Sequence, residues 1–232
     1  MPISPDKWFE GVNYEVGFWQ NYLNAKGGVR WSDDFRNRFD PNRPFNSMVE
    51  EAIRDTGSRE IELLDVGSGP VTSLGYVSKR FDIRITAVDP LADAYSVLLD
   101  EAGVMPPVKT QNCFGENLLQ HFGSRRFHVC HSCNALDHSL DPRNILFAMA
   151  QLLRPHGLMF VRVHKNEGES TGYSGLHNWN FDTDENRNFI LWRGSEKYKI
   201  NEDLSDFVDG RAAEMHVDDD PEIVFIGYRK AV

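Results

Sequence analysis

Histidines and a carboxylate lie at the predicted ends of strands in the second half of the chain. Asp137 and His138 follow one predicted strand, His164 follows the next, and His177 lies in a polar, glycine-rich stretch. Histidine titrates near neutral pH, so it suits the removal of a proton from an acceptor group. We expect His138 to be a general base and His177 the second choice, with Asp137 and His164 as further catalytic candidates. His138 fits equally well a role in ordering its own loop.

A glycine turn and a second carboxylate form a pattern that suits a nucleotide-like ligand. The apolar stretch 61–66 runs into Gly67 and Gly69, and roughly twenty residues later the stretch 85–88 ends in Asp89. Glycines bring the backbone close to a ligand, and a carboxylate at this place accepts both hydroxyls of a ribose. A dinucleotide-binding turn would need a third glycine where this chain has Thr72. The predicted ligand contacts of this region are Asp65, Gly67, Ser68, Gly69, Asp89, Pro90 and Leu91.

The elements that must position these residues follow one another in a specific order. The predicted strand 126–133 leads into a polar loop that starts at Asn134, a helix that starts at Asp141, a break at 154–157 and an apolar strand at 158–163. Together with the glycine turn, this series resembles the class I S-adenosylmethionine-dependent methyltransferases over roughly residues 61–163. The resemblance implies S-adenosylmethionine as the cofactor, with Asn134 on its methionyl side.

The adenine end of the expected cofactor site departs from the family pattern. Many members of the family carry an acidic residue for the adenine amino group where this chain has Phe114. We expect Phe114, Gly115 and Glu116 to hold the adenine, by stacking on the ring, by backbone groups or with support from the carboxylate.

The resemblance also implies the fold class and the domain organisation. It predicts an α/β fold with a Rossmann-like, seven-stranded, mostly parallel sheet, a C-terminal antiparallel hairpin and flanking helices. Residues 1–60 are expected to form a helical N-terminal extension that acts as a lid. Residues 61–232 are expected to form the methyltransferase domain, with an insertion at 164–200 near the acceptor site.

Periodicity and end signals predict the remaining elements. Helices are expected to start at Ser4-Pro5 and end before Gly27, and to cover 45–53, 72–81, 92–102 and 202–208. A hairpin is expected at 189–193 and 197–200, and final strands at 212–217 and 222–229 around a turn at 218–221. The aromatic residues at 31, 35 and 39 receive no helix assignment.

Two tryptophans are expected to contact the acceptor. Trp19 belongs to the aromatic-rich extension, and Trp179 lies beside His177 in the polar stretch. An aromatic wall would close the acceptor pocket and exclude water. Packing of the extension onto the sheet explains its aromatic residues equally well.

Charge and hydropathy exclude several classes of partner. The chain has 35 acidic and 25 basic residues, and its net charge of −10 disfavours a nucleic-acid substrate. No apolar run approaches the length of a membrane span, and the N-terminal residues do not resemble a signal peptide. We therefore expect a cytoplasmic protein with no membrane partner, and the sequence leaves its oligomeric state open.

The three cysteines are expected to be reduced. Cys130 and Cys133 lie in a predicted strand, where residues three apart point to opposite faces. The pair is thus unable to chelate one ion without breaking the strand, and we expect no metal there.

These patterns together predict a methyltransferase that acts on a small molecule, with an oxygen of a sugar or other hydroxylated metabolite as acceptor. A protein or nucleic-acid methyltransferase and a non-catalytic cofactor-binding module are the alternatives. A metal-assisted variant, with a divalent ion between Asp137 and His138, has no ligand spacing in the sequence to support it.

Overall fold

The computed structural model describes residues 2–53, 58–217 and 220–231. The strands of these ranges are β1 (Glu60–Val66), β2 (Asp82–Asp89), β3 (Gln111–Asn112), β4 (Phe127–Cys133), β5 (Leu153–His164), β6 (Asn180–Thr183), β7 (Phe189–Arg193), β8 (Glu196–Lys199), β9 (Val208–Val217) and β10 (Asp220–Arg229). The α-helices of the same ranges are α1 (Pro5–Asn24), α2 (Ser32–Phe39), α3 (Ser47–Ala52), α4 (Ala92–Ala102), α5 (Leu118–Phe122), α6 (Pro142–Leu152), α7 (Glu167–Ser170) and α8 (Ile200–Asp203).

The main sheet has seven strands in the order β3-β2-β1-β4-β5-β10-β9. The pairs from β3 to β5 are parallel, and β10 runs antiparallel to both β5 and β9. The predicted sheet, mostly parallel with a C-terminal antiparallel hairpin, is therefore confirmed. The chain order reverses between β1 and β4, and an open α/β sheet binds its ligand at the carboxyl ends of the strands beside such a reversal.

Three helices precede the sheet. α1 begins where predicted, because Ser4 accepts a hydrogen bond from the Lys7 amide and Pro5 occupies the first turn. Its buried face includes Trp8 and Leu23, and it packs on α4. α2 covers Phe35 and Phe39, which received no helix assignment because half of the eight residues are charged and the apolar period is too short to read. Across the described ranges, no helix combines the length and apolarity that a bilayer span requires.

Two helices beside the sheet have the predicted ends. α4 ends at Gly103, whose left-handed φ of 65° suits glycine. α6 begins after Asp141, whose carboxylate accepts a hydrogen bond from the Asn144 amide at 3.2 Å. Both helices cover the sheet beside strands whose carboxyl ends carry candidate site residues.

The helix predicted at 72–81 is wrong, because this segment is irregular. Its backbone pairs with the extension instead: the amides of Phe45 and Asn46 donate to the carbonyls of Val77 and Leu74, at 2.8 and 2.7 Å. Gly75, with φ of 77°, lies so close to the extension that a Cβ there would stand 2.2 Å from the Pro44 carbonyl oxygen. Tertiary hydrogen bonds to residues 43–46 have replaced the local helical ones.

Other boundaries differ from prediction for local reasons. β5 begins at Leu153, before the predicted 158, and residues 154–157 bulge between the pairs Phe127 with Leu153 and Val129 with Leu158. The helix predicted at 202–208 is α8, and β9 already begins at Val208. Residues 218 and 219 of the turn predicted at 218–221 lie outside the described residues.

A small second sheet forms within residues 164–200. β7 and β8 are the predicted hairpin, and β6 adds a strand that was not predicted, giving the order β6-β7-β8. Stacked rings join this sheet to the main one: Phe181 lies 5.2 Å from Phe189, which lies 5.3 Å from Phe225 of β10. The small sheet thereby anchors the polar segment that follows β5.

Cys130 and Cys133 are free cysteines of β4. Burial raises the pKa values of both thiols, so they are protonated near neutral pH. Their place in the strand agrees with the predicted role as small, packed side chains.

Candidate active site

A cavity of about 960 Å³ lies at the carboxyl ends of the central strands. The glycine turn after β1, the ends of β2, β4 and β5, and the inner face of α1 line this cavity. A volume of this size holds a cofactor together with a small acceptor.

The glycine turn has the backbone conformation that its residues predict. Gly67 and Gly69 have φ values of 70° and 64°, which favour glycine. The amides of Gly67 and Ser68 both donate to the Val88 carbonyl, at 2.9 and 3.1 Å. A Cβ on Gly67 would stand 2.3 Å from that of Ala135 in the loop after β4. The turn therefore joins the ends of three strands and leaves its backbone facing the cavity.

Asp89 joins the glycine turn to the end of β2. Its two carboxylate oxygens accept hydrogen bonds from the Gly69 amide at 3.1 Å and the Leu91 amide at 2.9 Å. Burial raises the pKa of Asp89 to about 6, against the opposing effect of these two hydrogen bonds. The carboxylate, Pro90 and Leu91 all line the cavity. Each oxygen retains a free lone pair, so the residue fits the expected contact with ribose hydroxyls.

Asp65 is already engaged within the protein. One oxygen lies 2.7 Å from Nδ1 of His131, and the other accepts a hydrogen bond from the Thr72 hydroxyl at 2.5 Å. All three residues are buried. Asp65 thus holds the segment after the glycine turn against β4, and direct contact with cofactor remains a prediction. His131 therefore has a structural role within β4.

The expected adenine end lies beside the N-terminus of α1. The rings of Phe114 and Trp8 are 5.2 Å apart, and Glu116 Oε1 accepts hydrogen bonds from the amides of Leu140 and Asp141 at 2.9 and 3.0 Å. Burial raises the pKa of Glu116, partly offset by these hydrogen bonds. Phe114, Gly115 and Glu116 line the cavity. Their contact with adenine stays a prediction.

Asn134 carries a buried acceptor that the described protein groups leave unpaired. The residue has a left-handed φ of 47°, and its side-chain Nδ2 lies 3.1 Å from Nε2 of His164. Its Oδ1 atom is buried without a hydrogen-bond partner among the described residues, on the cavity wall. A ligand donor such as an ammonium group would satisfy this oxygen, so the residues present fit the methionyl end of the expected cofactor.

Three of the four predicted catalytic residues meet at one point. His177 Nδ1 lies 2.7 Å from Asp137 Oδ2 and 3.1 Å from His138 Nε2, and the last two atoms are 3.5 Å apart. We call these three residues the acceptor cluster. The Asn178 amide donates to the Asp137 carbonyl at 2.9 Å, which ties the two loops together. Both imidazoles line the cavity, and Asp137 is buried behind them.

Electrostatics bind the acceptor cluster together. Burial alone would raise the pKa of Asp137, but the charge of His138 and the hydrogen bond from His177 outweigh it and lower that pKa. Burial opposes the charged form of His177, yet the hydrogen bond to Asp137 raises its pKa. Burial and the charge of Asp137 raise the pKa of Glu167, whose carboxylate lies 3.8 Å from His177 Nδ1.

The fourth predicted catalytic residue lies apart from the acceptor cluster. His164 Nε2 pairs with Asn134, and its Nδ1 lies 3.8 Å from the Glu222 carboxylate. It lines the cavity beside Asn134, the residue expected at the methionyl side of the cofactor. The contact between His164 Nε2 and Asn134 Nδ2 orients the side-chain amide of Asn134.

The two tryptophans occupy different positions. Trp19 lines the cavity and its ring covers Gly69, where an added Cβ would stand 2.9 Å from the indole. Trp179 is buried, donates to the Ser139 carbonyl at 3.1 Å, and does not belong to the cavity wall. The structure therefore places Trp179 behind the acceptor loop, because its indole packs with the core of the main sheet.

Sequence reasoning missed the two cavity-wall carboxylates beside the histidines of the acceptor cluster, Glu15 and Glu167. Glu15 accepts a hydrogen bond from the Trp19 indole at 2.7 Å and lies 3.7 Å from His138 Nδ1. Its spacing of four residues from Trp19 was the available signal, because residues four apart share a helix face. Glu167 had no such signal within its polar segment.

Comparison with known proteins identifies the family to which the chain belongs. The family described as a methyltransferase domain matches residues 36–203, which is more than half of the chain. Comparison with curated proteins finds no matching sequence.

Solved structures share the fold at low sequence identity. The N-methyltransferase NodS from Bradyrhizobium japonicum WM9, bound to S-adenosyl-L-homocysteine, is 11% identical with a TM-score of 0.56, covering 94% of this chain and 99% of that one. The cyclase SpnF is 14% identical with a TM-score of 0.57, covering 100% and 98%. A methyltransferase in complex with the Haloferax volcanii Trm112 activator is 14% identical with a TM-score of 0.53, covering 87% and 96%.

The match to the family covers the glycine turn, Asp89 and the acceptor cluster, and the structural neighbours share the fold. The chain belongs to the methyltransferase-domain family and is a class I S-adenosylmethionine-dependent methyltransferase, with S-adenosylmethionine as its cofactor.

Proposed function

We propose that this enzyme methylates a small molecule on a hydroxyl oxygen, in a sugar or another hydroxylated metabolite. The observation that carries the proposal is the convergence of His138 and His177 over the buried carboxylate of Asp137 on the cavity wall. A hydroxyl is a poor nucleophile until its proton is removed or its pKa is lowered, and an imidazole–carboxylate cluster is suited to do so.

When bound, S-adenosylmethionine would supply a methyl group on a sulfonium: the carbon–sulfur bond breaks as the acceptor oxygen bonds to that carbon, the electron pair stays on sulfur, and an imidazole of the acceptor cluster accepts the hydroxyl proton. The residues of the chain have the other tasks. Asp89 and the glycine turn hold the nucleoside, Asn134 faces the methionyl end, and the acceptor cluster activates the hydroxyl. Trp19 closes the cavity and excludes water.

The size and charge of the cavity favour a small acceptor over a nucleic acid. The carboxylates of Glu15 and Glu167 lie within 4 Å of ring nitrogens of the acceptor cluster, at 3.7 and 3.8 Å. With a net charge of −10 for the chain, this wall repels a phosphate backbone. The cytoplasmic location expected from the sequence is part of the same proposal.

An amine is the second candidate acceptor. The same two carboxylates, Glu15 and Glu167, would stabilise a protonated amine, which then loses its proton to become a nucleophile. We prefer oxygen because a hydroxyl group holds its proton more tightly than an ammonium group does. A hydroxyl acceptor therefore has the greater need of the imidazoles and the carboxylate of the acceptor cluster.

Incubation of the enzyme with methyl-labelled S-adenosylmethionine and panels of sugars, polyols, phenols and amines tests the proposal. We expect labelled O-methyl products from the hydroxylated panel, identified by mass spectrometry and NMR. The Asp89→Ala variant, which has lost its predicted ribose contact, is the control for cofactor-dependent transfer. Transfer only to amines would establish the second candidate, and transfer to none of these panels, with methylation of added protein or nucleic acid in a parallel incubation, would contradict both.

A further inference from the structure

The three polar atoms of the acceptor cluster form a compact triangle. Its sides are 2.7 Å from His177 Nδ1 to Asp137 Oδ2, 3.1 Å from His177 Nδ1 to His138 Nε2, and 3.5 Å from His138 Nε2 to Asp137 Oδ2. One carboxylate oxygen and two imidazole nitrogens from two separate loops therefore point at one small volume.

Hydrogen bonds satisfy this triangle poorly. A ring nitrogen carries at most one proton, so His177 Nδ1 is unable to donate fully to Asp137 while it also donates to His138. If His138 Nε2 carries a proton as well, that proton either faces the one on His177 Nδ1 or reaches the Asp137 carboxylate only at 3.5 Å. A cation in place of the shared proton removes this conflict, because all three atoms then act as electron-pair donors.

We infer that Asp137, His138 and His177 bind a divalent transition-metal ion. The binding itself is argued from geometry alone, and only the role of the ion in the reaction rests on the proposed function. An ion about 2.1 Å from each ligand atom holds neighbouring ligands roughly 3.0–3.4 Å apart, as in an octahedron or a tetrahedron. The three observed sides bracket this range. Two imidazoles and one carboxylate suit zinc, iron, cobalt or nickel better than magnesium or calcium, which take oxygen ligands.

The surroundings of the triangle match those of a metal site with open positions. Ligating histidines commonly direct their second ring nitrogen to a carboxylate, and His138 Nδ1 faces the Glu15 carboxylate at 3.7 Å. The Glu167 carboxylate, 3.8 Å from the ligand nitrogen of His177, lies within reach of the same ion. Both rings line the cavity, so positions not filled by protein face the acceptor. Three protein ligands with open positions are typical of a catalytic site.

In the proposed reaction, the ion gives the acceptor cluster its activating role. A hydroxyl bound at an open position would have a lowered pKa and would lose its proton to the nearby Glu167 carboxylate, which leaves an oxygen nucleophile on the cofactor side of the cavity. His138 and His177 then act as ligands, and the general base predicted from the sequence is replaced by the ion.

Cobalt binding to the whole protein tests the site without any acceptor. Protein treated with a chelator and dialysed is titrated with Co²⁺, followed by visible absorption and calorimetry. We expect one equivalent to bind with the absorption bands of nitrogen and oxygen ligation. His138→Ala and His177→Ala should each lose this binding, while His216→Ala, an exposed histidine of β9, should keep it. Glu15→Gln should weaken it by roughly tenfold or more.

Binding of S-adenosylhomocysteine is measured in every variant to show that the cofactor site is folded. No saturable binding near one equivalent in the wild type, or unchanged binding in the His138→Ala/His177→Ala double variant, would overturn the inference. If O-methyl transfer proceeds equally with and without chelator, the histidines are bases and the metal inference fails alone. If cobalt binds as expected but hydroxylated acceptors receive no methyl group, the proposed function fails and the metal site stands.

Discussion

Replacement of Asp89 removes the carboxylate that is expected to hold the ribose. In the structure this group accepts hydrogen bonds from the Gly69 and Leu91 amides, one on each oxygen, and it is 8% exposed. Asp89→Ala should weaken S-adenosylhomocysteine binding by about 1–3 kcal/mol, the range for charged hydrogen bonds that are lost. This free energy corresponds to a roughly 5–150-fold higher Kd.

Asp89→Asn separates the charge from the shape of the side chain. Asparagine keeps one carbonyl oxygen that can accept a hydrogen bond from a backbone amide. The free energy of unfolding of the Asp89→Asn variant should therefore be closer to that of wild type than the value for Asp89→Ala. Calorimetric titration with S-adenosylhomocysteine gives the affinities, and thermal unfolding shows that each variant is folded. An affinity within twofold of wild type in folded Asp89→Ala would refute the placement of the ribose.

The raised pKa of Asp89 adds a pH dependence to the same prediction. Because this pKa is about 6 in the free protein, the carboxylate becomes protonated as the pH falls through about 6, and cofactor affinity should fall with it. The folded protein binds this proton more tightly than the unfolded chain does. Its contribution to the free energy of unfolding is therefore greatest below the unfolded pKa of about 4 and decreases as the pH rises to about 6. Asp89→Asn should remove both dependences.

Three further substitutions test other contacts. Gly69→Ala should lower both cofactor affinity and Tm, because its φ is 64° and the new Cβ would stand 2.9 Å from Trp19; calorimetry and thermal unfolding measure the two effects, and unchanged values would contradict them. His131→Ala should destabilise the fold by about 1–3 kcal/mol, read from denaturant unfolding, because it leaves the buried Asp65 short of a partner. His177→Ala should lose roughly 10²–10⁴ in kcat while binding S-adenosylhomocysteine normally, and near-normal turnover would exclude it from acceptor activation.

The parts of the fold that the sequence predicted depend on short-range signals. The turn at Gly67 and Gly69 requires positive φ values, and α6 begins at the Asp141 cap followed by proline, so each is visible within a few residues. The prediction of a helix at 72–81 was wrong because backbone groups of this segment pair with residues 43–46. No local sequence pattern indicates that long-range contact. Long-range pairing overrides local propensity in such segments.

The sequence predicted the three residues of the acceptor cluster, but it did not predict that their side chains contact one another. Asp137 and His138 follow β4, while His177 comes from a segment whose position depends on the second sheet. The hydrogen bond from the Asn178 amide to the Asp137 carbonyl fixes the distance between them, and it has no sequence signature. For the same reason, no spacing of these residues along the chain indicated a metal site. The aromatic side chain of Trp179 suggested a place on the cavity wall, but its indole is buried in the hydrophobic core instead.

The most direct test of the central claim is identification of the methylated atom in the product. The enzyme is incubated with isotopically labelled S-adenosylmethionine and a hydroxylated acceptor from the panel, and NMR correlates the labelled methyl group with the atom that bears it. We predict a methyl ether on an oxygen, formed by the wild type and lost in His177→Ala. A label on nitrogen, on carbon or on protein, or an ether formed equally well by His177→Ala, would contradict activation of a hydroxyl at the acceptor cluster.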